Sequence, residues 1–184
     1  MHFAESINGP LINNTSAESD GNNYLIYRDD SFNFSFEYPK NWDMIPKNKS
    51  NVLFISPNKN EYGYITMNLQ ILSSTGSGGK YSSIDEVISD LIQQLQENTN
   101  NLKINYKKET KLSGLKAKEV NVSYTYNDIN YTQTQIIAKN DEYIYVITYF
   151  TSLEHYNEHL AEYEHAKSTF VFTYHENGKI HDDQ

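Results

Sequence analysis

The residues with the clearest capacity for chemistry stand in one run, Glu154-His155-x-x-Glu158-His159-x-x-Glu162-x-x-His165. Read as a helix, His155, His159 and Glu162 fall at i, i+4 and i+7, stacked along one flank. Two imidazoles one turn apart and a carboxylate suit a divalent metal such as Zn²⁺, Ni²⁺ or Cu²⁺. At 100° per residue they lie beside or opposite the apolar stripe, towards solvent, where a His/Glu surface is ordinarily a solvated face. The spacing is not that of a zinc protease, which carries a glutamate next to the first histidine in H-E-x-x-H.

The other motifs fail on composition or spacing. Gly76-Ser77-Gly78-Gly79-Lys80 stands between a strand and a helix, as a phosphate loop would. Ser74 occupies the first glycine position of a P-loop, however, and Tyr81 follows the lysine where Ser or Thr is required. No G-x-S-x-G is present, and the histidines outside the helix are His2, His175 and His181 in the tails, so a Ser-His-Asp triad has no marked member. Cysteine is absent, which removes disulfides, thiolate metal ligands and cysteine nucleophiles. Catalytic residues are therefore expected to be none, and the chain is read as non-enzymatic.

The net charge is −9 and Arg28 is the sole arginine. Nucleic acid is not an expected partner, because phosphate neutralisation needs clustered Lys and Arg. Lys103, Lys107, Lys108, Lys111, Lys116 and Lys118 form one local basic area. They can protect a sheet edge or meet an anionic partner surface. No apolar run of 18 residues exists, so no transmembrane helix is expected.

These residues must be placed by strands and two helices. Phe32, Phe34, Phe36 and Tyr38 alternate with polar residues, giving a strand with one aromatic face, stopped at Pro39. Trp42 is expected to fold back on the core from the Pro39–Trp42 turn. Val52–Ser56 reads as a short strand ended by Pro57, and Ile65, Met67, Leu69 and Ile71 as a half-buried one. Ser83 and Glu86 form a capping box for a first helix with the stripe Ile84, Val87, Ile88, Leu91, Ile92 and Leu95. Strands follow over 102–112, 120–126 and 129–139, joined at Ser113-Gly114 and Asn127-Asp128. Residues 142–151 are apolar on both faces and belong at the centre of the sheet. Thr151 and Glu154 form a second capping box, opening a helix with Leu153, Tyr156, Leu160 and Tyr163, before a last strand at 170–172. Hairpin after hairpin gives an antiparallel sheet and an α+β fold.

Phe32-Asn33-Phe34-Ser35-Phe36-Glu37-Tyr38-Pro39-Lys40-Asn41-Trp42 resembles the opening aromatic strand and Tyr-Pro-x-x-Trp of the PsbP family, the extrinsic proteins of photosystem II. Tyr143–Tyr149, a helix and Lys167-Ser168-Thr169-Phe170 are similar to its closing part. The resemblance spans Tyr24 to Tyr174. It implies an antiparallel sheet sandwiched by helices (α/β/α, Mog1/PsbP-like) in an exported or lumenal protein that works by binding, and it supplies no catalytic residue.

The organisation expected is a disordered leader or tether over 1–22, one domain over 23–174 and a polar tail over 175–184. The Asn/Ser-rich leader and the Asn-x-Ser/Thr sequons at Asn13, Asn14, Asn33, Asn48, Asn121 and Asn130 favour an extracellular or cell-surface location, with the cytoplasm as the alternative. The partner expected is a protein at a membrane or cell surface. The alternative function is metal or small-ligand binding through the second helix, with a divalent metal as the possible cofactor.

Overall fold

The computed structural model describes residues 23–173 and the short strand at 17–18. Most of the predicted leader and the C-terminal tail lie outside the described residues. Strands β1 (Ala17–Glu18), β2 (Tyr24–Asp29), β3 (Phe34–Pro39) and β11 (Val171–Phe172) form a small antiparallel sheet in the order β1-β2-β3-β11. The main sheet comprises β4 (Asp43–Asn48), β5 (Asn51–Asn60), β6 (Gly63–Ser73), β7 (Asn100–Leu112), β8 (Leu115–Tyr126), β9 (Ile129–Lys139) and β10 (Tyr143–Ser152). Its order is β4-β5-β6-β10-β9-β8-β7, and every ladder in it is antiparallel. The helices are α1 (Ile84–Asn98) and α2 (Leu160–Thr169). The α+β architecture expected from the hairpin pattern is the one found.

β10 is central because it is apolar on both faces. Ile144 and Val146 face α1, where Val87 and Ile88 meet Val120, Val122 and Ile137. Tyr145, Ile147 and Tyr149 face the opposite side, against the small sheet and α2. That second face is an aromatic core: Phe34 and Phe170 stack at 5.2 Å, and Phe36 meets Phe54 edge-on at 5.5 Å. The alternation Phe34, Phe36, Tyr38 is thus the buried face of β3, and Trp42 does return to the core at 5% exposure. The sandwich has α1 on one side; on the other, α2 shares the cover with the small sheet.

Ser83 Oγ accepts the Glu86 amide, as its capping role requires. Asn127 (φ 47°) and Asp128 (φ 62°) turn the β8–β9 hairpin in the left-handed conformation that two-residue hairpins use.

The structure departs from the sequence reading at four points. Pro57 does not end its strand: β5 runs on to Asn60, with the register broken between Ile55 and Lys59. A proline is tolerated at such a bulge, where no ladder amide is needed. β4 was not expected, since as an exposed edge strand containing Pro46 it carries no alternation. The two-residue strand β1, whose Ala17 pairs with Ile26 of β2, lies inside the predicted leader. Finally, Thr151 and Glu154 do not cap a helix. β10 continues through Thr151 and Ser152, which pair with Thr132 and Tyr131, so ladder bonds claim that backbone. A single 3-10 turn follows at Leu153–His155, and α2 starts only at Leu160.

Candidate functional site

The late start of α2 separates the three residues predicted to share a metal. His155 ends the 3-10 turn, His159 is the N-cap of α2 and Glu162 lies in its first turn. Their ligand atoms do not gather into one cluster among the described residues. His159 Nδ1 lies 3.2 Å from Glu162 Oε1, and its ring meets the edge of Trp42 at 5.3 Å. Neither histidine is a solvent-facing group: the side chains are only 17% and 20% exposed. His165, the last of the run, is structural. Its ring stacks on Tyr24 at 3.7 Å and Nε2 bonds Glu37 Oε2 at 2.6 Å, tying α2 to the small sheet.

His155 instead faces the β5–β6 hairpin. Phe150 of β10 pairs with Thr66 of β6, so the chain leaving β10 runs beside the turn that opens β6. Asn60 Oδ1 accepts the Tyr62 amide at 2.9 Å and holds that turn, which presents Glu61. His155 Nε2 lies 3.3 Å from Glu61 Oε1, at ion-pair distance without the geometry of a hydrogen bond. Its Nδ1 bonds Glu158. Glu61, Glu154 and His155 bring one ligand atom each within 4.8 Å of one another. The bond to Glu158 raises the His155 pKa; burial opposes the rise, and Glu61 adds to it. Glu61 has no sequence signal: it sits about ninety positions away in an exposed turn, and only the β6–β10 pairing brings it here.

A second polar constellation lies between α2 and the sheet. Glu119 of β8 is 2% exposed and is paired with Lys108 of β7 at 2.8 Å and with Lys167 of α2. Tyr106 donates to it at 3.0 Å. Burial alone would raise the Glu119 pKa, but the two ammonium groups and the tyrosine outweigh it and hold it below the usual glutamate value. Beside it, Asn121 Nδ2 donates to Thr134 Oγ1 at 2.7 Å, and Thr134 shares a hydrogen bond with Tyr156. These are satisfied groups locked to one another, the usual state of buried polar side chains. Asn121 is thereby buried inside its sequon and is no glycosylation acceptor in the folded protein.

The basic area is the exposed β7–β8 edge. Lys118 pairs with Asp85 of α1 and with Glu109. Lys111 and Lys116 stand directly opposite each other in the register, flanking the Ser113-Gly114 turn, both exposed. Neither has an ion-pair partner among the described residues. Like charges across a strand pair repel.

The glycine-rich loop is explained by packing. A Cβ at Gly79 would lie 1.7 Å from the Ser73 carbonyl oxygen, and the Gly79 amide donates to Ser74 O at 2.8 Å. Its glycines let the chain fold back on β6 before α1. Among the described residues no helix is long and apolar enough to cross a membrane.

The fold and these residues can be set beside known proteins. No curated protein sequence matches the chain. Among solved structures, cyanobacterial PsbP (CyanoP) from Synechocystis sp. PCC 6803 superposes with a TM-score of 0.59 at 12% identity, covering 89% of this chain and 99% of that one. LpqN of Mycobacterium tuberculosis, involved in cell envelope biogenesis, gives 0.58 at 9% identity over 77% and 83%. The Saccharomyces cerevisiae Ran-binding protein Mog1p gives 0.58 at 8% identity over 82% and 96%. At such identities the likeness shows the shared fold. The family model for PsbP-like proteins matches residues 5–176. The chain, from its aromatic opening strand to its closing helix, belongs to the PsbP-like family.

Proposed function

We propose that the protein is a non-enzymatic, exported or surface-tethered binding module that meets an acidic protein surface with its β7–β8 edge. The Lys111/Lys116 pair is the observation that carries this reading. Two lysines with no ion-pair partner among the described residues face each other at the end of a hairpin on a chain of net charge −9. Such a pair costs stability in the free protein, and an anionic partner would relieve that cost. The long exposed edge beside it adds Lys107, with Leu112 and Ala117 anchoring the hairpin in the core. An Asn/Ser-rich leader and an envelope protein among the structural relatives support the location; the Ran-binding relative supports a protein partner.

The test is retention of the purified chain on membrane fractions of the cells that make it. Wild type should be retained at low salt and released as salt rises, since exposed charges are screened over about 10 Å at 0.1 M. Lys111→Glu with Lys116→Glu should lose most of that retention, and protease treatment of the membranes should abolish it. Equal retention of variant and wild type, or retention on protease-stripped membranes, would contradict the reading.

A further inference from the structure

We infer that Glu61, Glu154 and His155 form a binding site for a divalent first-row transition ion, with Glu158 holding the histidine from behind. The site is independent of the basic edge.

The geometry is that of a metal-binding imidazole and its support. The Glu158 carboxylate can only accept, so Nδ1 carries a proton, and Nε2 is the ring nitrogen that faces Glu61 and is free to exchange its own proton for a metal ion. A histidine ligand ordinarily has such a carboxylate behind it, and that partner raises ligand basicity. Nε2 itself is shielded from solvent, and its near neighbour is Glu61 Oε1 at 3.3 Å, without the geometry of a hydrogen bond. A divalent cation between Nε2 and the two carboxylates would take the place of the Nε2 proton and offset both negative charges. Ligand atoms around tetrahedral zinc stand about 3.3 Å apart, as bonds of about 2.0 Å require. Nε2 and Glu61 Oε1 are at that spacing already, at 3.3 Å. The remaining closure, from within 4.8 Å, falls to Glu154 and Glu61, both exposed.

One nitrogen and two carboxylate oxygens suit Zn²⁺ or Mn²⁺ and leave a coordination position open to water or to a group from a partner. His159 and Glu162 take no part in the site. They are paired with each other and are not members of the cluster.

The experiment is calorimetric titration of the full chain with ZnCl₂, with circular dichroism to confirm the fold of each variant. The expected result is one site whose affinity falls at least about 10-fold in Glu61→Gln, Glu154→Gln and His155→Gln, and about 10-fold in Glu158→Gln, as for other supporting carboxylates. His159→Gln should bind as wild type does. Glu61 is in an exposed turn, so its variant keeps the fold even if a substitution at His155 does not. No heat with wild type would overturn the assignment. So would binding that survives Glu61→Gln or His155→Gln unchanged, since it would then belong to histidines elsewhere, and so would loss of binding in His159→Gln.

Discussion

Lys167 of α2 and Glu119 of β8 form a shielded ion pair that joins the second helix to the main sheet, with side-chain exposures of 12% and 2%. Glu119 holds Lys108 with its other oxygen, at 2.8 Å. Lys167 also lies 2.8 Å from Glu164 and 4.5 Å from the centre of the Tyr163 ring. Removing one member of such a pair strands the other in a poorly solvated place. Glu119→Ala should therefore destabilise the fold by about 3 kcal/mol, whereas Lys108→Ala, whose side chain is 57% exposed, should cost less than about 1 kcal/mol. Urea denaturation of the two variants measures the contrast.

The same carboxylate ties stability to pH. Its folded pKa is lower than the ordinary glutamate value of 4.5. Its contribution is thus fully present above about pH 4.5 and is lost as the pH falls through that value towards the folded pKa. The stability of wild type should decline over this acidic window more steeply than that of Glu119→Gln, as read from denaturation midpoints between pH 6 and pH 3.

Tyr163 points the other way. Its ring is buried, stacked on Tyr149 at 5.5 Å, but its hydroxyl has no hydrogen-bond partner among the described residues. Removing an unsatisfied buried hydroxyl while keeping the ring loses no bond. Tyr163→Phe should be neutral or stabilising, by up to about 1 kcal/mol, and a loss greater than that in thermal unfolding would show that the hydroxyl is bonded in solution.

The glycine-rich loop offers a comparison of two neighbours. Gly78 has φ 79° with nothing near a Cβ, so Gly78→Ala should cost about 1–2 kcal/mol, the penalty of a left-handed alanine. Gly79→Ala places its methyl inside the Ser73 carbonyl and must displace the loop, so it should cost more and weaken the start of α1. Hydrogen exchange of the Ser83–Val87 amides would report the difference.

What could be read from the sequence follows the strength of each local signal. The aromatic face of β3, the stripe and cap of α1 and the central place of β10 were all legible, because burial imposes a period on those segments. β4 was not, since an exposed edge strand has no buried face to mark it. The second helix was misjudged at its start: Thr151-x-x-Glu154 has the letters of a capping box, but pairing of Thr151 and Ser152 to β9 decides the matter. The candidate cation site suffered from that error. His155 was recognised, but its partner Glu61 was invisible, because only the β6–β10 register brings the hairpin turn to it.

The central claim is that the β7–β8 edge retains a like-charge pair for the sake of an acidic partner, and one variant tests it in two ways. Lys111→Glu puts a carboxylate opposite Lys116 and converts repulsion into attraction, for a gain of about 0.5 kcal/mol. The protein should therefore unfold at a higher temperature while its retention on membrane fractions falls at least about 5-fold. A variant that is no more stable than wild type, or that is more stable and binds equally well, would contradict the account.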